Sequence, residues 1–419
     1  MVNRDILKEV LLENREMVEN VRLVKRNFTF YDNFRHVLVG VRRSGKSFLL
    51  FQRMQELLAA GRTWDEMLYL NFEDDRLIGF DTQDFNEILT AHKEMGGSSK
   101  PMLFLDEVQN IAGWHKFARR LADRGYIVNI TGSNAKMLSS DVATTLGGRY
   151  MIEHIFPFNL AEYHEASGKD AEDLLSYSDL KQHIDEYMLY GGFPECTSTP
   201  NKREYLLSVY QKIYLGDIAA RHNIENKVAL RLMFLKLAES VMQPIALTRL
   251  TNVLASTGTK VSKNTVLSYA EYAKNAFLLF PIKNFADHFT ERETNRKYYF
   301  VDNGIISLLT FKNQAALLEN LVAITLLRRY GIDDNVFFYH RNTEVDFVVP
   351  EKEMAIQVCY ELGDENSETF RRETQAFVKF CKRTKYVDLT IITYNEERTV
   401  EVNGLNIDVV PIWKWLRED

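Results

Sequence analysis

An α/β architecture follows from three features of the sequence. These are a strand–loop–helix block at 36–54, an apolar strand ending in paired carboxylates at 102–107, and strand and helix patterns that alternate to about residue 160. In the first block His36-Val37-Leu38-Val39 reads as a buried strand, and Gly40-Val41-Arg42-Arg43-Ser44-Gly45-Lys46-Ser47 is a complete G-x-x-x-x-G-K-[ST] loop. Ser47 to Met54 then opens an amphipathic helix. A loop in that context binds the phosphates of a nucleoside triphosphate, because its backbone N–H groups point inward at the positive end of the helix. The expected ATP site comprises Gly40, Arg43, Ser44, Gly45, Lys46, Ser47 and Phe48. Lys46 brings a full charge to the β- and γ-phosphates, and the Ser47 hydroxyl is placed to hold Mg²⁺.

The second block, Met102-Leu103-Phe104-Leu105-Asp106-Glu107, has the form of a Walker B strand. A strand buried on both faces of a parallel sheet delivers its last side chains to the carboxyl edge, where ligands sit. Asp106 is the expected Mg²⁺ partner, acting through the water shell of the ion. Glu107 is the expected base that orients and deprotonates the attacking water, so the chain reads as an ATPase. The next strand, Tyr126 to Thr131, ends in Gly132-Ser133-Asn134. A polar tip there suits a sensor of the γ-phosphate, for which Asn134 is the choice and Ser133 the competitor. Arg149, after Gly147-Gly148, is a candidate arginine for a γ-phosphate of the same or a neighbouring subunit, with an ordinary loop role as the equal alternative.

The remaining elements follow in order. Residues 1–26, rich in Leu, Glu and Arg, form a helical lead-in, and Met67 to Phe72 is a strand. A helix runs from Gln83 to Lys93 with Thr82 as its N-cap, and another from Trp114 to Arg124. Alternating βα units predict a parallel sheet covered on both faces. From about 160 the pattern turns helical, with a breaker-rich turn at Tyr190 to Glu195 and a helix from Tyr205 to Ala220. The helical pattern at Leu247–Leu254, the break at Gly258 and a helix capped at Ser262 that runs to Asn275 resemble a helix-turn-helix. The strand Phe277 to Ile282 is then the start of a wing. The exposed side of the last helix, with Lys263, Asn264, Ser268, Glu271 and Lys274, has mixed charge, which ranks packing ahead of DNA contact. In the last third the order is helix, three strands, helix, strand, the order of restriction-endonuclease-like nucleases. Asp346 meets one requirement of that chemistry, but the paired site reads Gln357-Val358-Cys359 and lacks the lysine. The expected domain is therefore nuclease-like and inactive, with a borrowed base or an unrelated packing domain as alternatives.

The expected domains are 1–160, a P-loop ATPase core with the lead-in; 161–298, helical and winged-helix-like; and 299–419, nuclease-like. A chain of 419 residues with 46% hydrophobic and 26% charged content is of ordinary globular composition. It carries no apolar run of bilayer length and no signal-peptide core, and the expected location is the cytoplasm, without a membrane partner. Cys196, Cys359 and Cys381 are scattered and fit neither a disulfide framework nor a zinc site. A net charge of −6 argues against an overall nucleic-acid coat while leaving room for a local basic face.

As an ordered set, certain blocks resemble a prokaryotic family of AAA-like P-loop ATPases with a C-terminal domain of unknown function that is likened to endonuclease folds. They are the loop at 40–47, Leu-Asp-Glu-Val-Gln at 105–109, Thr-Gly-Ser-Asn at 131–134, Gly-Arg-Tyr at 148–150 and Tyr-Gly-Gly-Phe-Pro-Glu at 190–195. Further along come Tyr-Phe-Val-Asp-Asn-Gly at 299–304, Glu-Asn at 319–320 and Glu-Val-Asp-Phe at 344–347. The resemblance implies an ATPase core with an additional strand and a catalytic glutamate, a winged-helix-like middle and a nuclease-like end. It implies no particular substrate. Where family members often keep Glu-Val-Lys, this chain has Gln357-Val358-Cys359. The expected activity is a Mg²⁺-dependent ATP switch acting on a protein or DNA partner, in a monomer or a homo-oligomer. A nucleotide-modulated DNA-binding protein is the alternative, and an ATP-regulated nuclease the third.

Overall fold

The computed structural model describes residues 2–168, 177–285, 295–310 and 313–418. Two compact units divide the chain, residues 1–155 with 275–277, and residues 156–274 with 278–419.

The first unit is built on five parallel strands, β1 (His36–Val39), β2 (Met67–Asn71), β3 (Met102–Asp106), β4 (Val128–Gly132) and β5 (Met151–His154), in the order β2-β3-β4-β1-β5. The near-continuous apolar runs at β1 and β3 are the mark of strands covered on both faces. The Arg4–Asn20 helix and the Lys46–Ala59 helix supply part of that cover, and Val18, Leu49, Leu50, Phe51 and Met54 join Leu38, Tyr69 and Phe104 in one core cluster. The helix expected from Gln83 begins at Phe85, and Thr82 does not cap it. Instead the Thr82 hydroxyl donates to the Ala112 carbonyl, and Asp84 closes the turn by accepting the Asp81 N–H at 3.1 Å.

The second unit holds a mixed sheet whose nine strands, among the described residues, run β13-β14-β12-β11-β10-β9-β7-β8-β6. They are β6 (Ile245–Ala246), β7 (Leu279–Asn284), β8 (Asn295–Phe300), β9 (Phe337–His340), β10 (Glu344–Val349), β11 (Met354–Val358), β12 (Asp388–Thr393), β13 (Arg398–Val402) and β14 (Leu405–Pro411). The expected boundary at 298/299 is corrected by this sheet. It falls inside β8, and β7 pairs with β9 in parallel through Lys283↔Phe337 and Asn284↔Phe338. The Asn284 amide reinforces that seam, accepting the His340 N–H and donating to the His340 carbonyl, both at 2.9 Å. The middle and last thirds therefore share one hydrogen-bonded sheet. The helices expected near 247–254 and 262–275 are present as Leu247–Ser256 and Lys263–Asn275, with Ser262 accepting the Thr265 N–H as a cap.

Three blocks far apart in sequence meet in a buried polar network. The Asp302 carboxylate accepts the Gly192 N–H at 2.7 Å and the Gly304 N–H at 2.8 Å. Gly191 sits at φ 71 with its Cα so close to Asp302 that a Cβ would lie 1.8 Å from a carboxylate oxygen, which explains the Gly-Gly pair. Asn320, fully buried, accepts the Phe300 N–H at 2.8 Å, donates to the Phe300 carbonyl at 3.0 Å and donates to the Asn303 side chain at 2.9 Å. One amide thus satisfies the backbone at the end of β8 where the ladder stops. Asn320→Ala leaves those groups buried and unpaired, at a cost of about 1–3 kcal/mol for each one not reached by water. Urea unfolding is expected to show a loss of about 2–4 kcal/mol; a loss below about 0.5 kcal/mol would show that the network does not hold β8.

Candidate nucleotide site

The parallel register brings the ends of β1, β3 and β4 to one edge of the first sheet. Gly40 follows β1, Asp106 and Glu107 close β3, and Ser133 and Asn134 follow β4. Gly40 is needed for close approach, since a Cβ there would meet the Ile155 carbonyl oxygen at 2.1 Å. The Lys46–Ala59 helix begins directly behind the loop, so its first N–H groups and the positive end of its dipole face the loop.

The charged groups at this edge are buried: Lys46 is 4%, Asp106 1% and Glu107 7% exposed. Lys46 Nζ donates to the carbonyls of Gly40 at 3.1 Å and Val41 at 3.0 Å and lies 3.7 Å from Glu107 Oε1. Asp106 accepts hydrogen bonds from the Tyr69 hydroxyl at 2.7 Å and from the Thr131 and Ser47 hydroxyls. Burial, followed by the neighbouring Glu107 charge, pushes the Asp106 carboxyl up, against the pull of those hydroxyls.

Glu107 behaves in the opposite sense. Burial opposes its charge, but Lys46 and the donors Gln109 and Ser133 outweigh it and hold the carboxyl below its ordinary value. Its Oε2 accepts from the Ser133 hydroxyl at 2.9 Å and from the Gln109 amide. Glu107 also takes φ 50, an uncommon conformation for a residue with a side chain, and its N–H donates to the Thr131 hydroxyl at 2.9 Å. Two adjacent carboxylates thus stand in different surroundings, Asp106 ringed by hydroxyls and Glu107 facing the lysine.

The structure brings together Gly40, Ser44, Lys46, Ser47, Asp106, Glu107 and Ser133. Asn134 is buried at the same strand end, but Ser133 is the residue whose hydroxyl meets Glu107. Arg43 takes φ 66 within the loop, and Phe48, in the first helical turn, is 45% exposed and stacks obliquely on Phe51. Arg149 lies elsewhere. It precedes β5 and pairs with Asp123 at 2.6 Å, at the edge where β1 and β5 begin, His36 lying opposite Met151. The paired length of β5, about 10 Å, separates it from the loop of its own chain. Tyr69, Thr131 and Gln109 were missed by the sequence reading. The signal for Thr131 is a hydroxyl near the end of a strand that runs beside the paired carboxylates; for Tyr69 there is none without the β2–β3 register.

The donor set suits Mg²⁺ and a triphosphate. The Ser47 hydroxyl and the Asp106 carboxylate lie in mutual contact and offer the oxygen donors that a hard cation takes, and the fully buried Ser44 hydroxyl has no hydrogen-bond partner among the described residues.

Residues 33–164 match the family model described as AAA domain, and residues 181–329 match one described as a domain of unknown function. An uncharacterized protein of Methanocaldococcus jannaschii is 34% identical, the alignment covering 99% of this chain and 96% of that protein. The chain belongs to its family. An uncharacterized Haemophilus influenzae protein, 32% identical over 96% of this chain and 99% of its own length, is a second relative. With the AAA match and the geometry above, this is a P-loop ATPase-like family. Among solved structures, Aeropyrum pernix Orc1 in complex with DNA aligns at 14% identity and TM-score 0.30, covering 78% of this chain and 94% of that one. AMPPCP-bound DnaA from Aquifex aeolicus aligns at 16% and 0.25, covering 62% and 85%.

Lys46→Ala removes the buried cation expected to meet the terminal phosphates. A charge-assisted contact is worth about 1.5–3 kcal/mol, so calorimetry is expected to show ATP affinity weakened by roughly tenfold or more. Unchanged affinity would remove Lys46 from the site.

Proposed function

We propose that this protein is a Mg²⁺-dependent ATPase whose cycle of binding and hydrolysis switches its hold on a protein or DNA partner. The observation that carries the proposal is the asymmetry of the paired carboxylates. Asp106 faces Ser47 and suits the metal, whereas Glu107 is held charged beside Lys46 by Ser133 and Gln109 and suits the base. When bound, Mg²⁺ screens the phosphate charge. Glu107 Oε1 orients the attacking water and takes its proton, Ser133 fixes the glutamate and Asn134 serves as the sensor. Lys46 leaves its two loop carbonyls for the β- and γ-phosphates. Arg149, remote from its own loop, acts on a neighbouring subunit or only on Asp123.

The order β6, helix Leu247–Ser256, helix Lys263–Asn275, β7, β8, with β8 between β6 and β7, supports a winged-helix reading of this region. Arg249, Lys260, Lys263 and Lys274 are exposed there, and Glu271 is the one acidic residue between 245 and 275, although the chain as a whole is acidic. That local excess of cations favours DNA as the partner of the second reading. The proposed location is the cytoplasm; among the described residues no helix is long and apolar enough to cross a membrane.

Glu107→Gln keeps the shape and removes the base. Phosphate release is expected to fall by about 10² to 10⁴ while ATP binding survives; turnover near wild type would place the base elsewhere. In the same assay, activity per chain that rises with protein concentration, and loses that rise in Arg149→Ala, supports the role between subunits; a flat response removes it. For the DNA reading, anisotropy with duplex DNA should show affinity falling steeply between about 50 and 200 mM salt, and less steeply in Lys260→Ala/Lys263→Ala. Absence of binding at low salt returns these helices to packing.

A further inference from the structure

The nuclease-type motif of the last third ends in Gln357 and Cys359, and both side chains are committed to the fold. Gln357 is turned onto the backbone of β10, its Oε1 accepting the Asp346 N–H at 2.8 Å and its Nε2 donating to the Glu344 carbonyl at 3.1 Å. It extends the ladder just beyond Phe347↔Ile356, where backbone pairing of β10 and β11 stops. Cys359 is buried, and burial drives its thiol far above the ordinary range.

A cation is nonetheless present at this place, delivered from a strand outside the motif. Lys297 of β8, 0% exposed, sets Nζ 3.1 Å from Glu319 Oε1, 3.1 Å from Glu344 Oε1 and 3.0 Å from Asp346 Oδ1. The three carboxylates come from the Gln314–Tyr330 helix and from β10, so the ammonium joins elements that are separate in sequence. Tyr299 donates to Glu319 Oε1 at 2.7 Å, and Val358 N–H donates to Asp346 Oδ2 at 2.9 Å. Burial would discharge the ammonium, but Glu319, Tyr299, Asp346 and Glu344 hold it protonated. Burial also pushes Glu319 up to about 8 and, with Asp346 nearby, Glu373 up to about 7. Three carboxyl groups thus surround one ammonium, which is the only positive charge that the described residues place among them.

We infer that Glu319, Glu344 and Asp346 form a cation site whose occupant is the ammonium of Lys297 in place of a divalent metal. The ammonium donates to Glu319 Oε1 and Asp346 Oδ1 and pairs by charge with Glu344 Oε1, which accepts no hydrogen bond among the described residues. A divalent ion needs oxygens at about 2.0–2.6 Å, inside the space that Nζ fills. With no accessible surface, Lys297 cannot act on a substrate, and it carries a structural charge.

The test compares full-length wild type, Asp346→Asn, Lys297→Ala and Lys297→Ala/Asp346→Asn, all without nucleotide so that the phosphate loop contributes equally. Mn²⁺ is titrated and read by electron paramagnetic resonance and thermal melting. Wild type is expected to match Asp346→Asn in Mn²⁺ stoichiometry. Lys297→Ala should take one further Mn²⁺ per chain and melt at a higher temperature with the metal than without it, a response the double variant loses. Folding of Lys297→Ala only in the presence of Mn²⁺ is the same result. Lys297→Met, which keeps the stem and frees the position of Nζ, serves if truncation itself unfolds the domain. The inference is overturned by a folded Lys297 variant that takes no additional Mn²⁺. It is equally overturned, with no Lys297 variant needed, by Mn²⁺ binding to wild type, or Mn²⁺-dependent nicking of supercoiled plasmid by it, that Asp346→Asn abolishes.

Discussion

The Thr131 hydroxyl is the hinge of the nucleotide site. It donates to Asp106 and accepts the N–H of Glu107, so one atom of β4 fixes both the carboxylate at the end of β3 and the bent backbone that follows. Burying two carboxylates side by side is costly unless each finds donors. Here Tyr69 and Ser47 complete the set for Asp106, while Ser133, Gln109 and Lys46 do so for Glu107. The strand order β2-β3-β4-β1-β5 is what makes this supply possible. β3 is flanked by the strands carrying Tyr69 and Thr131, and β4 lies between it and the strand that leads into the loop.

The same sheet separates what the sequence had grouped. In a parallel sheet every strand starts at one edge and ends at the other, so residues just before a strand and residues just after one belong to opposite edges. Gly40, Glu107 and Ser133 follow their strands, whereas Arg149 precedes β5. Arg149 thus stands at the edge away from the loop of its own chain, and the Asp123 pair accounts for where it points.

Much of the first unit was legible because its signals are local. A glycine-lysine-serine loop between an apolar strand and a helix, and an apolar strand ending in two acids, state their own geometry. What escaped depends on register or on long-range pairing. Tyr69 reaches Asp106 only because β2 and β3 align, and Thr82 loses its cap to a carbonyl thirty residues away. The boundary at 298/299 failed for the same reason, since nothing within β8 announces that β7 will pair with β9. Nothing in the sequence singles out Lys297, and only folding puts its ammonium among carboxylates from two other elements.

The joined sheet bears on how the second unit can respond to a partner. Helices Leu247–Ser256 and Lys263–Asn275 are followed by β7, and β7 is hydrogen-bonded to β9, whose neighbour β10 carries Asp346. A ladder of backbone hydrogen bonds transmits displacement poorly by bending and well by moving as a whole, because each strand's pairing must break before it can shift alone. Lys297 and Asn320 add side-chain ties from β8 to the Gln314–Tyr330 helix across the same region. The helices of 247–275 are thus tied through β7 to the same sheet that carries the last third. Lys297 ties three elements of that region in the same way, since its ammonium on β8 meets Glu319 of the helix and Glu344 and Asp346 of β10.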